Sequence, residues 1–248
     1  MKIKPIKAFR ALLGLDENKS TFPDDFEEIH RIIIQKVRPY TMTSEERLFG
    51  LIESVKYVIH NNIPGDFVEC GVWKGGSMMT IAETLKYLNV SNRHLYLYDT
   101  FAGMTAPTDD DVDQLNRDAA SQLNQDINQK TESVVWAYSG LEEVKKNIAR
   151  TNYPPEFIHF IEGDILKTIP ATIPKQIALL RLDTDWYAST KHEMEHLFPI
   201  LAPKGIIIVD DYGFWKGSRK AVDEYLSQHG IALMLHRMDA TGRSAVKL

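Results

Sequence analysis

Five times along this chain a short apolar, β-branched run ends in a small residue, a carboxylate or both, and that recurrence limits the possible folds more than any other feature. The organising copy is 66–77, DFVECGVWKGGS. Phe67, Val68, Cys70 and Val72 have the character of a strand buried on both faces, Glu69 is enclosed among them, and Gly71 lets the backbone turn away from the sheet. Gly75 and Gly76 admit a close-lying ligand, and Ser77 is placed to cap a helix over 78–88. A strand, a glycine turn and a helix N-terminus make a nucleotide-type cradle, although the same stretch alone also suits the strand-to-helix turn of any parallel sheet. The later copies repeat the pattern: 94–100, HLYLYDT, closes in Asp99, and 157–161 closes in Gly163-Asp164. The run 177–182, IALLRL, enters Asp183-Thr184-Asp185-Trp186-Tyr187, and 206–209, IIIV, enters Asp210-Asp211.

Between these runs the apolar spacing predicts helices over 24–37, 44–61, 140–150, 189–201 and 218–228. Strand and helix alternate, which predicts a mostly parallel sheet sandwiched by helices, with 232–237 and 245–248 pairing across Ala240-Thr241-Gly242. Ligands of such sheets bind outside the carboxyl ends of the strands. Asp99 is therefore placed to accept from ribose hydroxyls, the alternatives being a helix cap or a surface acid. The acidic stretch 105–113, TAPTDDDVD, and the Gln-, Asn- and Asp-rich residues up to 129 read as a lid or insertion, or as a solvated loop.

A length of 248 residues with 44% hydrophobic and 25% charged residues suits one large domain with an N-terminal extension. The net charge of -5 argues against a nucleic-acid surface, which would carry a basic field, and favours small-molecule partners. A single cysteine, Cys70, excludes a disulfide within the monomer and a cysteine-based zinc site, so a reducing cytoplasm is expected. Lys4, Lys7 and Arg10 interrupt the apolar residues of 1–20, and no run of about 18 apolar residues suggests an integral membrane segment. That N-terminal stretch reads as a docked or frayed helix, or as one with weak interfacial contact.

Two neighbouring buried strands that end in carboxylates set Asp183, Asp210 and Asp211 on one sheet edge. Crowded like charges must share protons, meet a base or bind a cation. Oxygen ligands without His or Cys favour Mg²⁺ or Ca²⁺, and room left for water or substrate favours Mg²⁺. In the alternative, helix N-termini and Arg181 satisfy the acids.

Taken in order, VECGVWKGGS, LYLYDTFAGM, LLRLDTDWYAST and GIIIVDDYGFWKGSRKAVDEYL, with TMTSEER before them, resemble the macrocin O-methyltransferase family, which methylates sugar hydroxyls of macrolides and related glycosylated natural products. The resemblance implies an α/β, Rossmann-like class I methyltransferase fold: a seven-stranded mostly parallel sheet with helices on both faces and an antiparallel last strand. Residues 1–63 would form a helical cap and 64–248 the methyltransferase domain, using S-adenosylmethionine and Mg²⁺. Met42, Thr43, Glu69, Gly71, Val72, Trp73, Gly75, Gly76 and Ser77 would then surround the cofactor, with Asp99 on the ribose and Ser139, Gly163 and Asp164 near the adenine. Asp183, Asp210 and Asp211 would bind the metal, Asp183 or Asp185 would take the acceptor's proton, and Trp186 and Tyr187 would stack on the sugar or simply pack. The implied acceptor is a sugar on a macrolide or another glycoconjugate, and self-association as a homo-oligomer is expected. A catechol or phenolic acceptor and a non-catalytic nucleoside-binding module are the alternatives, whereas a dehydrogenase is disfavoured because the cradle lacks GxGxxG spacing.

Overall fold

Apolar residues at helical spacing before the first strand build α1 (Glu28–Val37) and α2 (Glu45–His60). Ser44 caps α2 by accepting from the Arg47 amide at 3.2 Å, and Glu45 and Glu46 fill the first turn, where the helix dipole favours negative charge. The chain continues as β1 (Asp66–Cys70), α3 (Gly76–Tyr87), β2 (Leu95–Asp99), α4 (Ala119–Gln125) and α5 (Leu141–Ala149). After β3 (Ile158–Glu162) and α6 (Ile165–Thr168) come β4 (Ile177–Leu182), α7 (Tyr187–His196), β5 (Leu201–Val209) and α8 (Lys216–Gln228). A hairpin of β6 (His236–Arg237) and β7 (Arg243–Val246) ends it. This is a computed structural model and describes residues 22–248; the helix expected within 1–20 lies outside the described residues.

The seven strands form one sheet in the order β3-β2-β1-β4-β5-β7-β6. β1 to β5 run parallel, and β7 is antiparallel to both β5 and β6, as expected. Because β1 lies between β2 and β4, the crossovers leave it in opposite directions and open a crevice at the carboxyl edge.

Alternation along each strand feeds two cores. Phe67, Leu97, Leu179 and Ile208 join Ile34 of α1, Leu48 and Ile52 of α2 and Ile81 of α3, so the helices preceding β1 share a core with the sheet. Val68, Leu180, Leu182 and Val209 face Met194 of α7 and Val222 and Leu226 of α8 on the other side. Each such side chain contributes about 1.5–3 kcal/mol of burial, which fixes the register because a one-residue slip would exchange the two faces.

Local signals were overridden in three places. Ser77 does not cap α3: Gly75 holds the N-cap position at φ 90° and Ser77 lies inside the first turn. The helix expected over 189–201 starts at Tyr187 and ends at His196, and β5 begins at Leu201, five residues before the expected 206, because pairing with β4 continues through a register shift across Pro203-Lys204-Gly205. The strand expected over 232–237 is ladder-paired only at His236–Arg237, opposite β7.

Candidate active site

Three loops at the carboxyl edge hold a non-glycine residue in the left-handed region: Trp73 (φ 46°) after β1, Phe101 (φ 50°) after β2 and Asp185 (φ 66°) after β4. Each such residue costs about 1–3 kcal/mol and persists only where the surroundings over-determine it. Gly71 (φ 82°) lies so close to Asp183 that a Cβ there would run into the Asp183 carbonyl, so the β1 turn and the β4 loop touch backbone to backbone. A cavity of about 500 Å³ opens on this edge, enough for a small-molecule ligand.

One half of the cavity is the cradle. Gly71, Val72, Trp73, Gly76 and Ser77 line it, with Met42 and Thr43 on the side of α2 and Gly163 and Asp164 on the side of β3. Asp99 braces the turns: its Oδ2 accepts from the amides of Val72 at 2.6 Å and Trp73 at 3.1 Å, and its Oδ1 from Phe101 at 2.7 Å. Burial raises the Asp99 carboxyl above its ordinary value in spite of these donors. Asp164 also caps α6 through the Leu166 amide at 3.0 Å. Glu69, Gly75, Ser139 and Tyr187 do not line the cavity. Ser139 donates to Glu143 at 3.1 Å, and the Tyr187 hydroxyl donates to Glu224 of α8 at 2.7 Å.

The other half is acidic. Arg181 sits mid-strand in β4, opposite Glu69 of β1, and is 2% exposed. Its guanidinium donates to Glu69 Oε1 at 2.5 Å, Asp183 Oδ2 at 2.6 Å, Asp210 Oδ1 at 2.5 Å and Thr43 Oγ1 at 3.2 Å. Arg47 of α2 takes the remaining Asp210 oxygen and bonds Asp239 at 2.9 Å. Both Asp210 oxygens are thus held by guanidinium groups, and the carboxylates that converge are Asp183, Asp185 and Asp211, with ligand atoms within 4.8 Å of one another. Of the expected metal set, Asp183 and Asp211 meet in this trio, and Asp185 stands where Asp210 was expected. Burial and the neighbouring carboxylates hold Asp183 and Asp211 well above the carboxylate range and push Asp185 up to about 7; burial likewise lifts Glu69 to about 7. Asp211 Oδ2 is buried without a partner. Six carboxylates (Glu69, Asp183, Asp185, Asp210, Asp211 and Asp239) face two guanidiniums, an excess of acid that an oxygen-liganded divalent cation would neutralise.

This arrangement agrees with what the sequence matches. The family described as macrocin-O-methyltransferase (TylF) matches residues 18–245, nearly the whole chain. The chain belongs to the macrocin O-methyltransferase family. This O-methyltransferase is 32% identical over 203 residues to mycinamicin III 3''-O-methyltransferase of Micromonospora griseorubida, covering 82% of this chain and 76% of that protein. It is likewise 32% identical over 203 residues to demethyldecarbamoylnovobiocin O-methyltransferase of Streptomyces niveus, covering 82% and 74%. Among solved structures, the O-methyltransferase NovP matches with a TM-score of 0.73 at 31% identity over 84% of this chain and 82% of that one. The calicheamicin methyltransferase CalS11, 18% identical with a TM-score of 0.61 over 93% and 98%, shares the fold. Among the described residues of the macrocin-family enzyme, no helix is long and apolar enough to cross a membrane.

Arg47 of this macrocin-family site, and two buried acids outside the cavity lining, Asp111 and Asp113, were missed in the sequence. Arg47 reads there as an ordinary residue of a helix's first turn, and only the fold carries it to Asp210 and Asp239. Asp111 and Asp113, within a stretch that also reads as a solvated loop, are 1% and 0% exposed. Trp186 had two readings, stacking on substrate or packing, and it packs: its indole donates to the Thr105 carbonyl at 3.1 Å and meets Trp215 edge-on at 4.9 Å, with part of the side chain lining the cavity.

Proposed function

We propose that this enzyme moves a methyl group from S-adenosylmethionine to a hydroxyl of a deoxysugar on a glycosylated natural product, with Mg²⁺ at the acidic half of the site. The observation that carries the reading is the convergence of Asp183, Asp185 and Asp211 on the same cavity as the Asp99-braced glycine cradle. The relatives named for mycinamicin III and demethyldecarbamoylnovobiocin methylation support a glycosylated acceptor.

S-adenosylmethionine, when bound, supplies an electrophilic methyl group. Gly71, Val72, Trp73, Gly76 and Ser77 line the half of the cavity where it would lie, Asp99 and Asp164 would serve the nucleoside, and Met42 and Thr43 would cover it. Mg²⁺, when bound, lowers the pKa of an acceptor hydroxyl. Asp183 and Asp211 would hold it, matching hard oxygen donors to a hard cation. Asp185 would take the hydroxyl proton on its carboxylate, which lies beside Asp183 and Asp211 at the cavity. Arg181 keeps Glu69, Asp183 and Asp210 in fixed positions. Methyl transfer from a sulfonium to an oxyanion dissipates charge, so the protein gains most by holding the reactants close and dry, which is the part given to Trp186 and Trp215.

The test is methyl transfer from labelled S-adenosylmethionine to glycosylated macrolide, coumarin and polyketide acceptors and to the matching aglycones, with Mg²⁺ or with chelator. Transfer that requires both the sugar and the metal is the expected result; transfer to aglycones alone, or unaffected by chelator, would overturn it.

A further inference from the structure

Segment 105–119, of which Thr105 and Ala106 line the cavity, is stitched to both acid-bearing loops. The Trp186 indole, next to Asp185, donates to the Thr105 carbonyl, the Lys216 amide donates to the Val112 carbonyl at 2.9 Å, and Asp113 bridges to Trp215. At the centre is Asp111. One oxygen accepts from the Tyr187 amide at 2.6 Å and the other from the Thr108 amide at 2.6 Å and hydroxyl at 2.8 Å. The Tyr187 amide is the first of α7, whose N-cap, Trp186, has no side-chain oxygen to offer. The missing cap comes from 76 residues upstream, and it is an anion where the helix dipole favours one. On its other side Asp111 lies against Gly217 in the first turn of α8, where a Cβ would collide with the Asp111 carboxylate and approach Tyr187 Cβ.

We propose that Asp111 is a positioning residue of the methyl-transfer site: by holding the Tyr187 amide it sets the turn carrying Asp183 and Asp185 against the start of α8, which follows Asp210 and Asp211. Segment 105–119 is then a fixed strap rather than a mobile lid. Its hydrogen bonds to the turn after β4 come from the Tyr187 amide and the Trp186 indole, so it sets where that turn lies. Gly217 is part of the device, since α8 can come this close to Asp111 only without a Cβ. The expected consequence for Mg²⁺ rests on the metal assignment above; the positioning role itself does not.

Three variants of the full chain test it. Asp111→Asn keeps the shape but turns an amide donor toward groups that need an acceptor. Gly217→Ala removes no polar group and introduces a better helix former, so propensity alone favours it, yet it should displace Asp111. Asp113→Asn is the control, equally buried in the same segment but bonded to the amides of Leu115 and Arg117 and to the Arg117 guanidinium rather than to α7. Hydrogen–deuterium exchange of the peptide spanning 183–190 should quicken at least tenfold in Asp111→Asn and Gly217→Ala and stay within twofold in Asp113→Asn. Calorimetry should show Mg²⁺ affinity reduced at least fivefold in the first two with S-adenosylhomocysteine affinity within twofold. Unchanged exchange at 183–190 in both Asp111→Asn and Gly217→Ala, or equal losses in Asp113→Asn, would overturn the proposal. Should Asp111→Asn not fold, Gly217→Ala decides alone. A wild-type chain that binds S-adenosylhomocysteine but no Mg²⁺ would count against the metal assignment, and the exchange data would still decide the role of Asp111.

Discussion

At the scale of single residues, Arg181 and Glu193 carry most of what is unusual. Arg181 is a cation in the middle of an otherwise apolar buried strand, and three carboxylates compensate it. Removing one partner of a buried ion network strands the rest, at a typical cost of about 3–5 kcal/mol. Arg181→Met should therefore lose stability on that scale in urea unfolding at pH 8, and a loss below about 1 kcal/mol would contradict the pairing. The deficit should shrink toward pH 6, because Glu69, already lifted to about 7, can be neutralised there. Glu193 is buried in α7 with one oxygen accepting from Thr184 at 2.8 Å and the other without a partner, and burial pushes its carboxyl up to about 8. The folded chain then keeps a proton that the unfolded chain has lost above its ordinary value of 4.5. Its contribution is fully present below that value and is lost as pH rises to about 8, at about 1.4 kcal/mol per pH unit for an isolated group. Glu193→Gln, which keeps the acceptor for Thr184, should remove that part of the slope and stabilise the protein at pH 8; parallel pH profiles for the two proteins would contradict this.

At the scale of elements, the turn between β1 and α3 ties the cradle to the acids. Gly71→Ala combines a left-handed backbone with a Cβ driven into Asp183, so it should cost about 1–3 kcal/mol and also abolish cofactor binding. A stable variant with full affinity for S-adenosylhomocysteine would refute the contact. The elements legible in the sequence were those whose signal is local. β4 matches its apolar run residue for residue, and α2 begins at the Ser44 cap and acidic first turn that announce it. The elements misjudged take their limits from distant partners. α7 starts at a residue capped from the far side of the site by Asp111, and the first half of β5 is a strand only because β4 lies beside it, since Pro203 and Gly205 by themselves signal a turn. The site divides the same way. Glu69, Asp99, Asp183 and Asp211 stand at strand ends where the alternation put them, whereas Arg47, on a helix, and Asp111, in the polar strap, reach the site only through tertiary packing.

At the scale of the whole molecule, the sheet order sets the switch point between β1 and β4, and the cavity opens there with the cradle on one side and the acids on the other. The two halves should be separable. Asp99→Ala removes the acceptor for the Val72 and Trp73 amides and should weaken S-adenosylhomocysteine at least tenfold, while Asp211→Ala should leave that affinity within about threefold and remove the response to Mg²⁺. Equal loss in both would mean that the halves do not function independently. The most direct test is calorimetric titration of S-adenosylhomocysteine into the wild-type protein, first with Mg²⁺ and then with chelator. Saturable one-to-one binding in both conditions is the predicted result, because the carboxylates that would hold Mg²⁺ are not the groups that form the cradle; folded protein that binds none in either would contradict the assignment of this cavity to methyl transfer.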